Sequence, residues 1–581
     1  MILSPEQSAA VYSPATHIAV AATAGSGKSR VLVERIRHLI SSGVKPENIA
    51  CVTFTTGAAK VIEQRLQCPA CNGSGYVENG MGGELPEMVL CNCQGQRIRL
   101  GHSGTLHSLM LKAIRIEYQH CGYSSPPSIA SEEVAKQLLE EAQKETRFTP
   151  RSEKEAQKLV ALDVPKGTLT KGQAFAAHYH QKLAAAGLID FDGVLRLGLR
   201  VVKAGKLPFK FTHILCDEMQ DSSQMDFDIY TYMEDESVFF CGDFDQQIYG
   251  FRGACSGFED LCRKPEATGF TLFRLETCYR CSTEIAAAAE SVLTLIPNRP
   301  PKRTISHTGP KGKPVIQSFS TFPDELGWMA ANLVANAADG SCPLNEAAVL
   351  LRTNALANAF REGLKARGIQ VRQQRSASRL PGWQKAQAII AYQVDPLNDF
   401  VALEYVKASL GESKAKEIQR KAGLSCCPVS EMLPTSLAVF AGEGDFGKTV
   451  QLMVVSGIPV ATIEAIEKLH AESADLEELL LAMQRPEEDQ SGDGVRVGTI
   501  HSVKGQEFND VYLPAFEDSS FPANRDLSEE TRLCYVAITR ARNRLNISWC
   551  DERPNQFTKR IEQIQPSRFI QLIERSMNEK A

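Results

Sequence analysis

Residues 22–29 read ATAGSGKS. Backbone N–H groups of such a glycine-rich loop cradle phosphates, and a helix that follows adds its positive N-terminal end. Ala22, Thr23, Ala24, Gly25, Ser26, Gly27, Lys28, Ser29 and Arg30 are therefore expected around a nucleoside triphosphate. Lys28 would reach the β- and γ-phosphates, and the Ser29 hydroxyl would ligate Mg²⁺. Ala22 holds the first position, where the Walker A pattern has glycine. Such a loop needs an acidic partner at the end of a neighbouring strand. THILCDEMQD supplies it: Asp217 for Mg²⁺ and Glu218 to polarise the attacking water. These residues describe an NTPase and leave open what hydrolysis drives.

A second chemistry sits in CPACNGSGY and MVLCNCQGQ. The spacing is Cys68-x₂-Cys71, nineteen intervening residues, then Cys91-x-Cys93. Four thiolates suit a closed, tetrahedral structural zinc site. Gly73, Gly75 and Gly95 allow the tight turns of a metal knuckle. An iron–sulfur cluster or four free thiols are the alternatives. No open ligand position is evident, so a catalytic metal is not expected here.

These groups need a scaffold. His17 to Gly43 reads as a short strand, a glycine turn and an amphipathic helix closed by Gly43. A buried strand follows at Ile49–Phe54, and strand–helix–strand alternation implies a parallel sheet. Further β-rich runs at 212–216, 237–241, 347–351, 495–500 and 510–513 fall into an early and a late group, which implies two α/β cores. Segments 130–190 and 385–490 read as helical. Residues 144–210 carry 13 basic and 6 acidic side chains, and 464–489 carry 9 acidic and 2 basic, so a basic groove is expected in the former. QRPEEDQSGDG reads as a hinge or linker.

Composition bounds the class. The 581 residues are 43% hydrophobic and 23% charged, which excludes disorder as the main state. Net charge is 64 − 69 = −5, so the chain is not a globally basic nucleic-acid protein. No run approaches the ~18 apolar residues of a membrane helix. MILSPEQSAA lacks the features of a secretory signal. With 17 cysteines, an odd number, the expectation is a reducing, cytoplasmic location with free thiols outside the cluster.

Taken in order, the motifs resemble those of superfamily 1 helicases of the UvrD/Rep type. LSPEQSAAV resembles the Q motif, which implies that Gln7 contacts adenine. CVTFTTGAA and GTLHSL resemble motifs Ia and Ib, and IDFDGVL the short segment before the Walker B strand. CGDFDQQIYGFRGA resembles motif III, with Gln246 sensing the γ-phosphate and Tyr249, Phe251 and Arg252 facing DNA. LETCYRCS resembles motif IV, with Tyr279 on adenine and Arg280 at the γ-phosphate. VGTIHSVKGQEF resembles motif V and contributes Glu507 to the nucleotide site. LCYVAITRARNRL resembles motif VI, with Arg540 as a second γ-phosphate arginine, and PSRFI matches the close of the second core. Three positions depart from the family pattern: Thr56, Phe244 and Cys278.

The resemblance implies an α/β fold of two RecA-like P-loop NTPase lobes, each with a mainly helical inserted domain, plus the small four-cysteine insertion (66–100) in the first lobe. The expected division is 1–110 with 190–272 for the first lobe and 111–189 for its insertion. The second lobe takes 273–385 with 491–581, and its insertion 386–490. Both insertions are short for the family. The implied activity is ATP- and Mg²⁺-dependent translocation 3′ to 5′ on single-stranded DNA with duplex unwinding, in repair, replication or recombination. A protein-displacing translocase or an ATP-switched DNA-binding loader are the alternatives. Phe54, Tyr249 and Phe251 are the candidate base-stacking residues. Thr55, Thr105, His107, His501 and Ser502 are candidate phosphate partners. The expected partners are single-stranded DNA, duplex–single-strand junctions, and repair or replication proteins, with the chain a monomer or weak dimer.

Overall fold

The computed structural model describes residues 3–67, 76–79, 87–90, 98–161, 163–165, 167–233, 236–250, 253–372, 380–425, 429–433, 445–473, 475–484, 493–518, 520–523, 526–554 and 560–578. The four clustered cysteines, Phe251, Arg252 and most of the expected hinge lie outside these residues.

The first sheet has six parallel strands: β1 (His17–Ala22), β2 (Ile49–Thr53), β3 (His102–Thr105), β4 (His213–Cys216), β5 (Ser237–Gly242) and β6 (Thr271–Leu275). Their order across the sheet is β6-β1-β5-β4-β2-β3. Every residue of β2 and β5 is buried, the pattern of strands covered on both faces by helices. The second sheet holds β7 (Val315–Thr321), β8 (Ala347–Leu351), β9 (Arg496–Thr499), β10 (Phe508–Leu513) and β11 (Ala541–Pro554), in parallel order β7-β11-β10-β8-β9. A short β12 (Ile561–Gln563) pairs antiparallel with β11. Two parallel sheets flanked by helices make the two RecA-like lobes. Strand β6 carries the first sheet to Leu275, and the Cys278 turn follows directly.

Helix starts are written in local chemistry. Ser4 and Gln7 form a capping box on α1 (Pro5–Val11). The phosphate loop opens α2 (Lys28–Ser41). Thr55 caps α3 (Thr56–Leu66) and Thr105 caps α4 (Leu106–Ile116). The first insertion contains α5 (Glu132–Thr146), α6 (Glu153–Ala161) and α7 (Lys171–Ala185). Asp190 then caps α8 (Phe191–Lys203), and Ser282 caps α9 (Thr283–Leu293). The second insertion includes α10 (Trp383–Val394), α11 (Asp399–Leu410), α12 (Phe446–Val455), α13 (Val460–Glu472) and α14 (Leu476–Gln484). Helix α15 (Leu527–Ile538) lies in the second lobe and is almost wholly buried after its first turn. Among the described residues no helix is long and apolar enough to cross a membrane.

Candidate active site and nucleic-acid interface

The phosphate loop leaves β1 at the carboxyl edge of the first sheet, where ligands of open α/β sheets bind. Gly25 and Gly27 have φ of 70° and 85°, so side-chain-free residues are needed to turn the chain into α2. A Cβ on Gly25 would stand 2.5 Å from the Arg280 Cβ, so motif IV is seated directly on the loop. The Tyr279 N–H donates to the Gly25 carbonyl at 2.9 Å and fixes that seating. Gln7 donates from Nε2 to the Ser26 carbonyl at 2.9 Å, which brings the Q-motif helix to the same loop. Arg30 lies in the first turn of α2, within the expected phosphate-loop segment.

Strand β4 delivers the acidic pair next door. Lys28 Nζ stands 3.7 Å from Glu218 Oε2. Burial works against the Lys28 charge, but Glu218, Asp243 and Asp217 outweigh it and keep the ammonium protonated. Glu218 has φ 53°, a left-handed conformation costing a non-glycine residue roughly 1–3 kcal/mol. Gln220 Nε2 donates to its carboxylate at 2.5 Å. Burial also opposes the charge on Glu218, yet Lys28 and then Lys504 hold its carboxyl below the usual range. Asp217 is pushed up, by burial first and then by Glu218, although the Ser29 hydroxyl bonds it. A buried carboxylate beside a hydroxyl is a hard-oxygen donor set that fits Mg²⁺.

The second lobe supplies positive charge to the same cleft. Arg540 is 1% exposed. Its Nη2 donates to Gln246 Oε1 at 3.1 Å and its Nη1 to the Gln506 carbonyl at 3.0 Å. Burial, then Arg280, push Arg540 down to about 10, which leaves it charged at neutral pH. Arg280 pairs with Glu507 and donates to the Thr539 carbonyl at 3.3 Å. Tyr279 is 39% exposed, with its ring 4.9 Å from that of His307, open enough to receive a flat base.

Several residues at this cleft were not singled out by sequence. Lys504 of motif V crosses to Asp221 at 2.6 Å and to the Gln246 carbonyl at 2.9 Å. The Tyr535 hydroxyl meets Thr23 Oγ1 at 2.9 Å and accepts from the Ala24 N–H at 3.2 Å. Lys302 is fully buried, donates to the Ala22 carbonyl at 2.8 Å, pairs with Asp243 and stands 4.2 Å above the Phe244 ring. That packing explains the apolar residue at position 244. Lys504 and Tyr535 lie inside the motif V and motif VI strings, which are their signal in the sequence; Lys302 carries no local signal.

Motif III continues from this cleft toward an aromatic surface. Three residues beyond Gln246, Tyr249 stacks on Phe54, centroids 5.9 Å apart and planes 9° apart. Phe54 is 45% exposed, so it leaves the sheet rather than filling the core. His107 stacks on Phe191 at 3.9 Å, a second aromatic pair and one that names Phe191 of the IDFDGVL segment. Thr55 and Thr105 hydroxyls accept from Ala58 and Ser108 N–H groups as helix caps. Ser502 Oγ donates to the Thr499 carbonyl at 2.8 Å, and His501 is its neighbour in the same turn.

One other trio gathers ligand atoms: those of Glu325, Glu517 and Cys550 all lie within 4.8 Å of one another. Arg553 already pairs with both carboxylates there, so the charge is compensated by a guanidinium.

A phosphate loop in one RecA-like lobe, faced by two arginines of another, defines a two-lobed P-loop NTPase of the helicase class. A UvrD/REP helicase N-terminal domain matches residues 3–258, and a UvrD-like helicase C-terminal domain matches 273–407 and 459–552. The chain belongs to the UvrD/REP helicase family. It is 26% identical to the ATP-dependent DNA helicase PcrA of Staphylococcus epidermidis, over 98% of this chain and 86% of that one. It is 26% identical to a probable DNA helicase II homolog of Rickettsia conorii, over 98% and 95%. PcrA of Staphylococcus aureus is 24% identical, over 99% and 87%.

Proposed function

We propose that this ATP-dependent DNA helicase moves 3′ to 5′ along single-stranded DNA and separates duplex ahead of it. Glu218 polarises the attacking water, while Lys28, Arg280 and Arg540 neutralise charge on the γ-phosphoryl oxygens. Mg²⁺ held by Ser29 and Asp217 would add charge neutralisation on the phosphate oxygens. Gln7 and Tyr279 hold adenine, and Glu507 keeps Arg280 in reach of the loop. The observation carrying the reading is the continuity of motif III. Gln246 bonds an arginine of the opposite lobe, and Tyr249, three residues on, joins an exposed aromatic stack. Closing and opening of the cleft is thereby coupled to the surface that grips bases, a two-state switch. Phe54, Tyr249 and Phe251 stack bases, and Arg252, His107, His501 and Ser502 attend the backbone, which predicts little sequence preference and strong salt dependence.

The four cysteines, Cys68, Cys71, Cys91 and Cys93, hold one structural zinc in this reading, supported by their number and spacing. Metal quantification on the purified chain tests it, and an iron–sulfur chromophore or no metal overturns it.

Strand separation on duplexes with a 3′ or a 5′ single-stranded tail, beside Lys28→Ala, tests the motor. Opening of the 3′-tailed duplex alone, lost in the variant, is expected. Opening from the 5′ tail overturns the polarity. DNA-stimulated hydrolysis with no opening of either duplex overturns unwinding in favour of translocation.

A further inference from the structure

Motif IV of this chain contains a CxxC sequence, Cys278-Tyr279-Arg280-Cys281. Cys278 ends a two-residue strand, and Cys281 immediately precedes Ser282, the cap of α9. The turn folds the two sulfurs together. The Cys281 N–H donates to Cys278 Sγ at 3.4 Å, and the Cys281 thiol hydrogen-bonds the same sulfur. Both are free thiols with no exposed surface. A disulfide needs an S–S length of roughly 2.05 Å, so the two sulfurs must close on one another across this turn.

Cys278 is also unlike the other buried thiols near the site. Burial pushes Cys51, Cys216 and Cys241 up, out of reach of ionisation at neutral pH. Hydrogen bonds from the Cys281 thiol and from the Cys281 and Arg280 N–H groups, with the Arg280 charge, hold Cys278 down to about 6. Its partner Cys281 is pushed up, first by that same thiol hydrogen bond. Cys278 accepts the Cys281 N–H, which places it as the attacking sulfur and Cys281 as the sulfur that resolves what it forms.

We propose that Cys278 and Cys281 are a reversible thiol–disulfide site for peroxide, and that the disulfide stops ATP hydrolysis by displacing Tyr279 and Arg280. The Cys278 thiolate attacks one peroxide oxygen; the O–O bond breaks, hydroxide leaves and takes a proton, and Cys278 becomes a sulfenic acid. The Cys281 sulfur then attacks Cys278; the S–S bond forms, and the S–O bond breaks as water departs with the Cys281 proton. Two thiols lose two electrons and one peroxide becomes two waters.

The link to turnover rests on the ATP-site reading above. The only residues between the two sulfurs are Tyr279 and Arg280. They have no slack against the loop: a Cβ on Gly25 would stand 3.2 Å from Cys278 Sγ and 2.5 Å from Arg280 Cβ. Drawing the sulfurs together shifts the arginine, and a displacement of ~1 Å at a reacting centre costs roughly 10²-fold in rate. Because Cys278 is sealed against the phosphate loop, peroxide reaches it when the cleft opens.

The test uses the full chain. ATP hydrolysis with single-stranded DNA is measured on the reduced protein, after hydrogen peroxide, and after dithiothreitol, with peptide mapping at each stage. The expected result is a Cys278–Cys281 cross-linked peptide, turnover reduced about 10²-fold, and recovery with dithiothreitol. A non-hydrolysable ATP analogue present during oxidation is expected to slow cross-linking. Cys281→Ser is expected to hydrolyse ATP normally when reduced and to lose the reversible inactivation; Cys281→Ala serves if it folds poorly. No cross-linked peptide, or full turnover in cross-linked protein, overturns the proposal. Reversible inactivation that persists in Cys281→Ser also overturns it. A reduced protein that hydrolyses no ATP yet forms the cross-link refutes the ATP-site reading and leaves the thiol site standing.

Discussion

Two seams cross this molecule, and they are built from different materials. The seam between the lobes is ionic and buried. Lys504 meets Asp221, Arg540 meets Gln246, Arg532 meets Glu259, and Arg299 meets Asp245. The seam between the two helical insertions is mixed: one apolar core runs through both, Lys407 meets Glu133 at 3.7 Å, Arg115 pairs with Glu477, and both ion pairs are partly exposed. Asn398 donates to the Ala186 and Gly187 carbonyls at 3.2 and 3.3 Å, Gln484 to the Ala130 carbonyl at 3.2 Å, and Ser128 bonds Asp395. A cavity of about 320 Å³ opens there, lined by Val134, Trp383, Ala388, Phe400 and Lys407 among others. A buried charge that loses its partner is costly, roughly 3–5 kcal/mol, whereas one ordinary hydrogen bond is worth about 1 kcal/mol. The charges of the lobe seam therefore part or meet together, since each is compensated by a partner across it. The polar contacts of the insertion seam are each worth little by comparison, because its ion pairs are partly exposed and its hydrogen bonds are neutral.

The comparison is broken most severely at the reacting charges. Arg540→Ala is expected to lower DNA-stimulated ATP turnover by about 10³-fold or more, read in a steady-state phosphate-release assay. A loss below tenfold would place the second lobe outside the chemistry and reduce the seam to packing. Lys504→Met comes next. It leaves Asp221 buried without its cation, so about 3–5 kcal/mol of stability should be lost in denaturant titration. Asp221→Asn in the same background should restore much of it, as a double-mutant cycle would reveal.

Acid gives a milder perturbation of the same pair. Burial pushes the Asp221 carboxyl up to about 6, against Lys504. As pH falls through 6 the carboxyl takes up a proton and the ion pair is lost, so turnover declines. The folded chain binds this proton more tightly than the unfolded chain, whose value is near 3.8, so this group's contribution to stability rises over the same range. Comparing turnover at pH 7 and 5.5 in wild type and Asp221→Asn isolates it, since the variant should lose this part of the decline.

The smallest effect belongs to the other seam. Asn398→Ala is expected to cost about 1 kcal/mol in stability and leave ATP turnover within about twofold. Strand-separation rate is the sensitive readout. A large fall in turnover would mean that the insertion seam is part of the switch rather than a bystander to it.

Legibility in the sequence followed the length scale of each interaction. The phosphate loop between β1 and α2 and the acidic pair after β4 are contiguous strings beside the strands that carry them, so their place in the fold was legible. The apolar run predicts a strand over Ile49–Phe54, one residue longer than β2: Phe54 leaves the sheet because Thr55 starts the cap of α3. Thr55 and Thr105 looked like phosphate partners, while their hydroxyls also close helices, a use that single-residue chemistry does not separate from the first. Lys302 was invisible because its partners are 280 residues away at Ala22 and 59 residues away at Asp243. Buried, long-range compensation leaves no periodic or local trace in a chain.

The Phe54–Tyr249 stack has one more consequence. Parallel rings that already touch act as a competitor for the bases they are meant to receive. An aromatic pair is worth about 0.5–1.5 kcal/mol beyond its burial, and a base on an aromatic about 1–3 kcal/mol. A base entering between the rings must first replace that contact, so its net gain is discounted. A motor needs such a discount, because a track held too firmly cannot be released at each step.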